Sequence, residues 1–303
     1  VDRLGLGLAA VGRPAYITLG REQDLAAARS VEDLERRSHQ LLDRAWDLGV
    51  RYVDAARSYG YAERFLGSWL AAHPGRREEL TIGSKWGYEY VGDWTLDAPV
   101  HERKDHSPAV LDRQWPQTLE ALGTAPDVYL VHSVTPDSPA LGDRELLERL
   151  RGLAGTGVRV GISTSGPAQA AVLGQALALP DNPFSVVQST WNLLERSVGP
   201  ALEEAHEAGW LVVVKEGVAN GRLTAHGHES GVAQLAARDG QTLDAFALGS
   251  VLAQAFVDVV LSGAVTVGQL EQNIAARPPA SVPDGVVEEP TAYWATRSSL
   301  SWA

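Results

Sequence analysis

The sequence predicts an α/β fold, a single (β/α)8 barrel of the TIM type over 1–303, and three observations carry that expectation. Eight short runs rich in Val, Ile and Leu alternate with stretches of helical spacing along the whole chain. Helical stretches close on glycine just before the next strand, as in LGV (48–50) and AGW (208–210), where a left-handed C-terminal residue fits. Connections that precede strands are short, whereas those that follow them are longer, polar and aromatic. Strands joined through helices run parallel, because each helix returns the chain to the start of the next strand. An open doubly wound sheet is the alternative, but eight units in about 270 residues suit a closed barrel better.

In chain order the strands are read in RLGLGLAAVG, VRYVDAA, LTIGSKW, DVYLVHS, VRVGIST, FSVVQST, WLVVVKE and VDVVLSG. Each is a short apolar run, the pattern of a strand buried on both faces. The helices between them are read in VEDLERRSHQLLDRAWDLG, ERFLGSWLAAH, VLDRQWPQTLEALG, RELLERLRGLAG, VGPALEEAHEAG and LDAFALGSVLAQA, where apolar positions recur at helical intervals. A long loop at 86–107 follows the third strand, and an aromatic tail occupies 285–303. No low-complexity segment or linker divides the chain.

Composition narrows the function. The formal charge is −12 and the basic residues are scattered, so the average surface repels nucleic acid and anionic membranes. No apolar run approaches the ~20 residues of a bilayer span, and VDRLGLGLAAVG lacks the pattern of a secretory signal; the cytoplasm is the expected location. With no cysteine, disulfides, thiolate metal sites and a cysteine nucleophile are excluded. Oligomeric state is left open.

Chemistry in such a barrel sits at the C-terminal ends of the strands. The second strand ends on Asp54 with Tyr59 in the loop behind it, the third on Lys85 and the fourth on His132. Each has an ordinary structural reading alone: a helix cap, a solvated strand end, a hydrogen-bonded core histidine. Together, at matching ends of three successive strands, they read as a proton-delivery site. A free phenol ionises near ~10, so a neighbouring ammonium that favours the phenolate would make Tyr59 a better acid. Asp54 would keep Lys85 charged and placed, and His132 would orient a substrate oxygen or relay the proton.

These residues lie in GVRYVDAARSYGYAERFLG, GSKWG and YLVHS, and the set resembles the aldo-keto reductase superfamily over nearly the whole chain. The resemblance implies a catalytic tetrad of Asp54, Tyr59, Lys85 and His132, with Tyr59 the acid in the reducing direction. It also implies a nicotinamide cofactor. In VGISTSG, Ser163 matches the family's carboxamide-binding position and Thr164 departs from the usual Asn. In VVQSTWN, Gln188 matches and Trp191 stands for the aromatic that stacks on the nicotinamide. Glu216, Gly217, Val218 and Gly221 take the place of the loop that wraps the pyrophosphate, with Glu216, Gly217 and Val218 where Ser-Pro-Leu is usual. Gly263, Thr266, Gln269, Gln272 and Asn273 match the adenosine half. Lys or Arg for a 2′-phosphate is lacking at Gly263, Val265 and Gln269, so NADP(H) is expected to be usable with NAD(H) a contender.

Trp86, Tyr88 and Trp94 are the candidate walls of a substrate pocket, joined by Tyr293, Trp294 and Trp302 of the tail. The expected reaction is reduction of an aldehyde, ketone or sugar carbonyl. Its alternatives are oxidation of a sugar or alcohol by the same site, and a cofactor-binding regulatory protein with little turnover. A metal-dependent hydrolase is disfavoured, because only His132 stands at a strand end and no metal site is expected.

Overall fold

The computed structural model describes residues 3–25 and 28–302; positions 1–2 and 303 of the expected domain lie outside the described residues. Ten strands form among them: β1 (Leu4–Gly7), β2 (Tyr52–Asp54), β3 (Thr81–Trp86), β4 (Tyr88–Tyr90), β5 (Glu102–Lys104), β6 (Val128–Val134), β7 (Arg159–Thr164), β8 (Val186–Thr190), β9 (Leu211–Lys215) and β10 (Val259–Ser262). Eight close into a barrel in the order β1-β10-β9-β8-β7-β6-β3-β2, with every pair parallel. Each of the eight apolar runs supplies one barrel strand, and the open-sheet alternative is excluded.

Apolar side chains from successive strands, among them Tyr52, Leu130, Val186, Val213 and Val259, pack together as one cluster, as barrel interiors require. Because strand side chains alternate between faces, neighbours in sequence go to different layers. Larger clusters lie between barrel and helices, and Trp86, Val131, Ile162 and Val212 belong to one of them.

The helix Val31–Asp47 is capped by Ser30, which accepts from Asp33 N, and Gly49 beyond it has φ +86°. Gly209 has φ +82°, so both glycines expected to end helices are left-handed. The helices Gln169–Leu177 and Ser230–Arg238 were not read in the sequence. Each is nine residues long and rich in Ala and Gly, so few large apolar side chains mark a face.

The loop 86–107 contains an antiparallel hairpin, β4 on β5, with Tyr88 opposite Lys104 and Tyr90 opposite Glu102. Within the tail, Pro290–Ser298 is a helix capped by Glu289, and Tyr293 and Trp294 are buried in a cluster with Phe246 and Leu223. Trp302 bridges to Ile17. No helix among the described residues is long and apolar enough to cross a membrane.

Candidate active site

Asp54 ends β2 with both carboxylate oxygens engaged. Oδ2 accepts from Lys85 Nζ at 2.5 Å, and Oδ1 accepts from Gln188 Nε2 at 2.8 Å. Lys85 is fully buried and also donates to the Ala55 carbonyl at 2.9 Å. A buried ammonium needs such partners to remain charged. Its Nζ lies 4.6 Å from the centre of the Tyr59 ring, and the His132 ring meets Tyr59 edge-on at 5.5 Å. Asp54, Tyr59, His132 and Gln188 share the wall of one cavity of about 270 Å³. The fold therefore brings together the four residues from β2, β3 and β6.

His132 is aimed by an irregularity in its strand. The β6–β7 register shifts between Val131 and Val134, and Ser133 has φ +53°. Ser133 N donates to Ser163 Oγ at 2.7 Å, which replaces a ladder bond at the bulge. His132 Nδ1 and Ser58 Oγ lie 3.4 Å apart, and the His132 carbonyl is 2.8 Å from His106 Nε2. Burial, with the Lys85 and Lys215 charges added, holds the His132 imidazole well below its ordinary value, so it is neutral at neutral pH.

One electrostatic expectation is reversed. Burial pushes the Tyr59 phenol well above its ordinary value, and the Asp54 and Glu102 carboxylates add to the rise. The strongest opposing charge is Arg13. Lys85 lies beneath the phenol, but its charge is closely matched by Asp54, so the pair does not lower the resting phenol as the sequence suggested.

The expected cofactor residues divide. Gln188, Glu216, Gly217, Val218 and Gly263 line the cavity beside Tyr59. Val218, Gly221, Gly263, Gln269, Gln272 and Asn273 line a second cavity of about 300 Å³. The two share Thr18, Val218, Leu261, Ser262 and Gly263, which makes them two ends of one groove. A strap crosses it: Leu19 N donates to the Asn220 carbonyl and Asn220 Nδ2 to the Ile17 carbonyl, each at 2.9 Å. Gly221 is needed there, since a Cβ would stand 2.9 Å from the Leu19 carbonyl oxygen.

Five of these residues are occupied structurally or face elsewhere. Ser163 serves the Ser133 bulge, and Thr164 Oγ1 pairs with Ser189 Oγ at 2.6 Å. Thr266 caps the helix Val267–Ile274 in a reciprocal box with Gln269, whose Nε2 donates to Asp24 Oδ2 at 2.7 Å. Trp191 is not on the cavity wall. It is 3 % exposed in the layer between barrel and helices, edge-on to Phe256 at 6.2 Å and with Arg196 over its ring.

The substrate-wall aromatics are corrected likewise. Tyr88 lines the cavity, 5.0 Å from the His132 ring. Trp86 follows inward-facing Lys85 and therefore faces outward, fully buried. Trp94, at φ +57°, is turned back onto Tyr61 with rings stacked at 4.8 Å, and its Nε1 donates to the Arg29 carbonyl. Of the tail aromatics, Trp302 reaches the cavity, whereas Tyr293 and Trp294 pack in the helix cluster.

Sequence reasoning missed Arg13, Tyr16, Glu102, Lys215 and Arg297, all on the cavity wall. Lys215 ends β9, so the rule that selected Lys85 applies to it as well. Burial lowers its ammonium to about 8, and it makes no hydrogen bond to the described residues. Arg297 donates to Glu216 Oε1 through Nε at 2.9 Å and Nη2 at 2.5 Å, while Thr190 Oγ1 donates to Oε2 at 2.6 Å. Against the cost of burial, the Arg297 and Lys215 charges hold the Glu216 carboxyl down to about 2. Among the described residues no cluster of three or more His, Cys, Asp or Glu could hold a metal.

The model of the Aldo/keto reductase family matches residues 4–283. An aldo-keto reductase from Gibberella moniliformis is 27% identical over 143 residues, 46% of this chain and 40% of that protein. The chain spans 60% and 40% of the lengths of its two curated relatives. Glycerol dehydrogenase from Gluconobacter oxydans superposes with a TM-score of 0.69 at 22% identity, over 96% of this chain and 90% of that one. An aldo-keto reductase from Bacillus halodurans, in its holo form, gives 0.68 at 21% identity, over 97% and 91%. At such identities the two structures speak to the fold.

Proposed function

Because this chain belongs to the aldo/keto reductase family, we propose that it reduces a carbonyl to an alcohol with a nicotinamide dinucleotide, Tyr59 serving as the general acid. The observation that carries the reading is the shared cavity wall of Tyr59, His132 and Gln188 above the Lys85–Asp54 pair. When bound, the cofactor supplies a hydride to the carbonyl carbon. Tyr59 gives its proton to the carbonyl oxygen as negative charge develops there, and Arg13, the cation that most opposes the rise of the Tyr59 phenol, attracts the phenolate left behind. Neutral His132 donates a hydrogen bond to the same oxygen and fixes its direction. Since burial raises the Tyr59 phenol, it stays protonated at neutral pH, the state that reduction needs.

The residues present fit a nicotinamide dinucleotide. Gln188 Oε1 is buried without a hydrogen-bond partner, an acceptor available to the carboxamide amino group. The groove runs from Tyr59 to the helix Val267–Ile274, and at Gly263 an added Cβ would meet nothing within 4 Å, so that wall is open. We assign NADH as the better ligand over NADPH. Asp24 and Asp244 line the far cavity, where carboxylates accept from ribose hydroxyls and repel a 2′-phosphate. Its basic side chains are engaged, Arg21 with the Ala10, Arg13 and Pro14 carbonyls and His226 with Asp24.

Replacement Tyr59→Phe tests the reading. Turnover of aldehydes should fall by about 10²- to 10⁴-fold, while NADH binding, followed by nicotinamide fluorescence, stays within a few fold of the parent. Turnover that survives the substitution overturns the assignment, and tighter binding of NADPH than NADH overturns the cofactor preference alone.

A further inference from the structure

The geometry points to a carbonyl substrate that carries a carboxylate, held by the guanidinium of Arg13 inside the catalytic cavity; this rests on the proposed reductase reading and adds its substrate class. Arg13 is 2 % exposed, an unusual burial for a residue type that seldom leaves water without a partner. Its Nη1 donates to the Ser58 carbonyl at 2.8 Å and to Glu102 Oε1 at 2.9 Å. The rest of the fork is unused among the described residues: Nε is buried without a partner. A planar guanidinium with free donors is suited to a carboxylate, which it grips through parallel hydrogen bonds.

Placement makes the group selective. Arg13 lines the cavity that holds Tyr59, its guanidinium carbon 5.7 Å from the centre of that ring. Rings of Trp302 and Tyr16 stand 4.9 and 5.6 Å away, a desolvated surround that strengthens a charged hydrogen bond. Arg21 holds the loop in place through the Arg13 carbonyl, at 2.5 Å from its Nη2. An anion there keeps a carbonyl one or a few bonds away within reach of the phenol.

Charge agrees. Arg13–Glu102, Lys85–Asp54 and Arg297–Glu216 are ion pairs in or beneath the cavity, and Lys215 adds an ammonium whose charge also acts on Glu216. The chain as a whole carries −12, yet the cavity wall is balanced, with Arg13, Lys215 and Arg297 against Asp54, Glu102 and Glu216, and Lys85 beneath it leaves one cation in excess. A purely apolar aldehyde makes no use of it.

The competing account is that Arg13 only clamps the β4–β5 hairpin through Glu102. Matched substrates and a non-reacting acid separate the two. In the parent, kcat/KM for phenylglyoxylate, whose carboxylate is one bond from the carbonyl, should exceed that for acetophenone, and benzoate should bind more tightly than benzyl alcohol, read from tryptophan fluorescence because Trp302 adjoins Arg13. Replacement Arg13→Met should weaken benzoate about 10- to 100-fold and collapse the substrate ratio through KM, with Arg13→Lys recovering part. Glu102→Gln, which removes the competing carboxylate, should tighten benzoate several-fold. A mere clamp instead lowers both substrates in parallel in Arg13→Met and leaves benzoate no tighter in Glu102→Gln; either result, or a parent that fails to bind benzoate, overturns the proposal. Benzoate binding without turnover of any carbonyl would retire the reductase reading and leave the anion site standing.

Discussion

Two arcs of the barrel rim behave differently. Along β2, β3 and β6, the residues singled out by type and position meet at one point: Asp54, Lys85, Tyr59 and His132 lie within bonding or ring contact of one another. Along β7, β8 and β9, matching residues are largely absorbed by the protein itself. Ser163 bonds the Ser133 backbone, Thr164 bonds Ser189, and Glu216 is held between Thr190 and Arg297. The first arc ends in ionisable side chains whose burial would be costly without a shared purpose. The second ends in small hydroxyls, Lys215 and a strained loop, with φ of +56° at Glu216, +50° at Ala219 and +52° at Asn220. Short polar side chains find local partners easily, so their presence at a strand end says little about which way they serve.

The largest expected effect breaks the second arc. Glu216 is 7 % exposed and depends on Arg297, which reaches it from the tail helix. Replacement Arg297→Leu leaves a buried carboxylate with only Thr190 and the Lys215 charge beside it among the described residues, and should cost about 3–5 kcal/mol in urea unfolding at pH 8. The sign with pH is fixed by the direction of the shift. In the parent the Glu216 carboxyl is held down to about 2, so its stabilisation is complete above the ordinary carboxylate range and fades as pH falls from about 4.5 towards 2. In Arg297→Leu the carboxyl rises instead, and the deficit should shrink between pH 8 and pH 5. A variant as stable as the parent at pH 8 would mean that the arc is not tied to the tail.

The next effect belongs to the first arc and concerns direction. Reduction needs protonated Tyr59 and oxidation needs the phenolate, and burial pushes the phenol well above its ordinary value. Carbonyl reduction should therefore vary little from pH 6 to 7.5, while alcohol oxidation should climb by up to about tenfold per pH unit. Initial rates in both directions, with saturating cofactor, check it. A reductive rate that falls steeply between pH 6 and 7.5 would point to an acid other than Tyr59.

How much was legible follows the same division. All eight barrel strands could be read because an apolar run buried on both faces has few other uses, and the convergence of Asp54, Lys85 and His132 because ionisable side chains at strand ends are costly and rare. Side-chain direction at the ends of strands was harder. Lys85 and Trp86 are adjacent and go to opposite faces, so an aromatic next to an inward-facing lysine was the wrong one to choose for the cavity wall. Arg13 and Tyr16 could have been found from the rule that every loop after a strand reaches the mouth. Nothing local in the tail marked Arg297: its partner Glu216 is 81 positions away, and only the closed fold brings them together.

The smallest expected effect sharpens the contrast at one residue. Trp191 follows β8 by one position and was expected beneath a nicotinamide, yet its ring lies against Phe256 and Arg196 in the helix layer. Replacement Trp191→Phe removes buried surface and leaves a small void, for which about 1–2 kcal/mol of stability should be lost. Because the ring has no place on the cavity wall, NADH affinity should change by less than about twofold, whereas loss of a stacking partner would weaken it several-fold. Fluorescence titration at a temperature well below the variant's Tm separates the outcomes. A several-fold loss of NADH affinity with stability intact would mean that Trp191 swings to the ligand and that the second arc rearranges on binding.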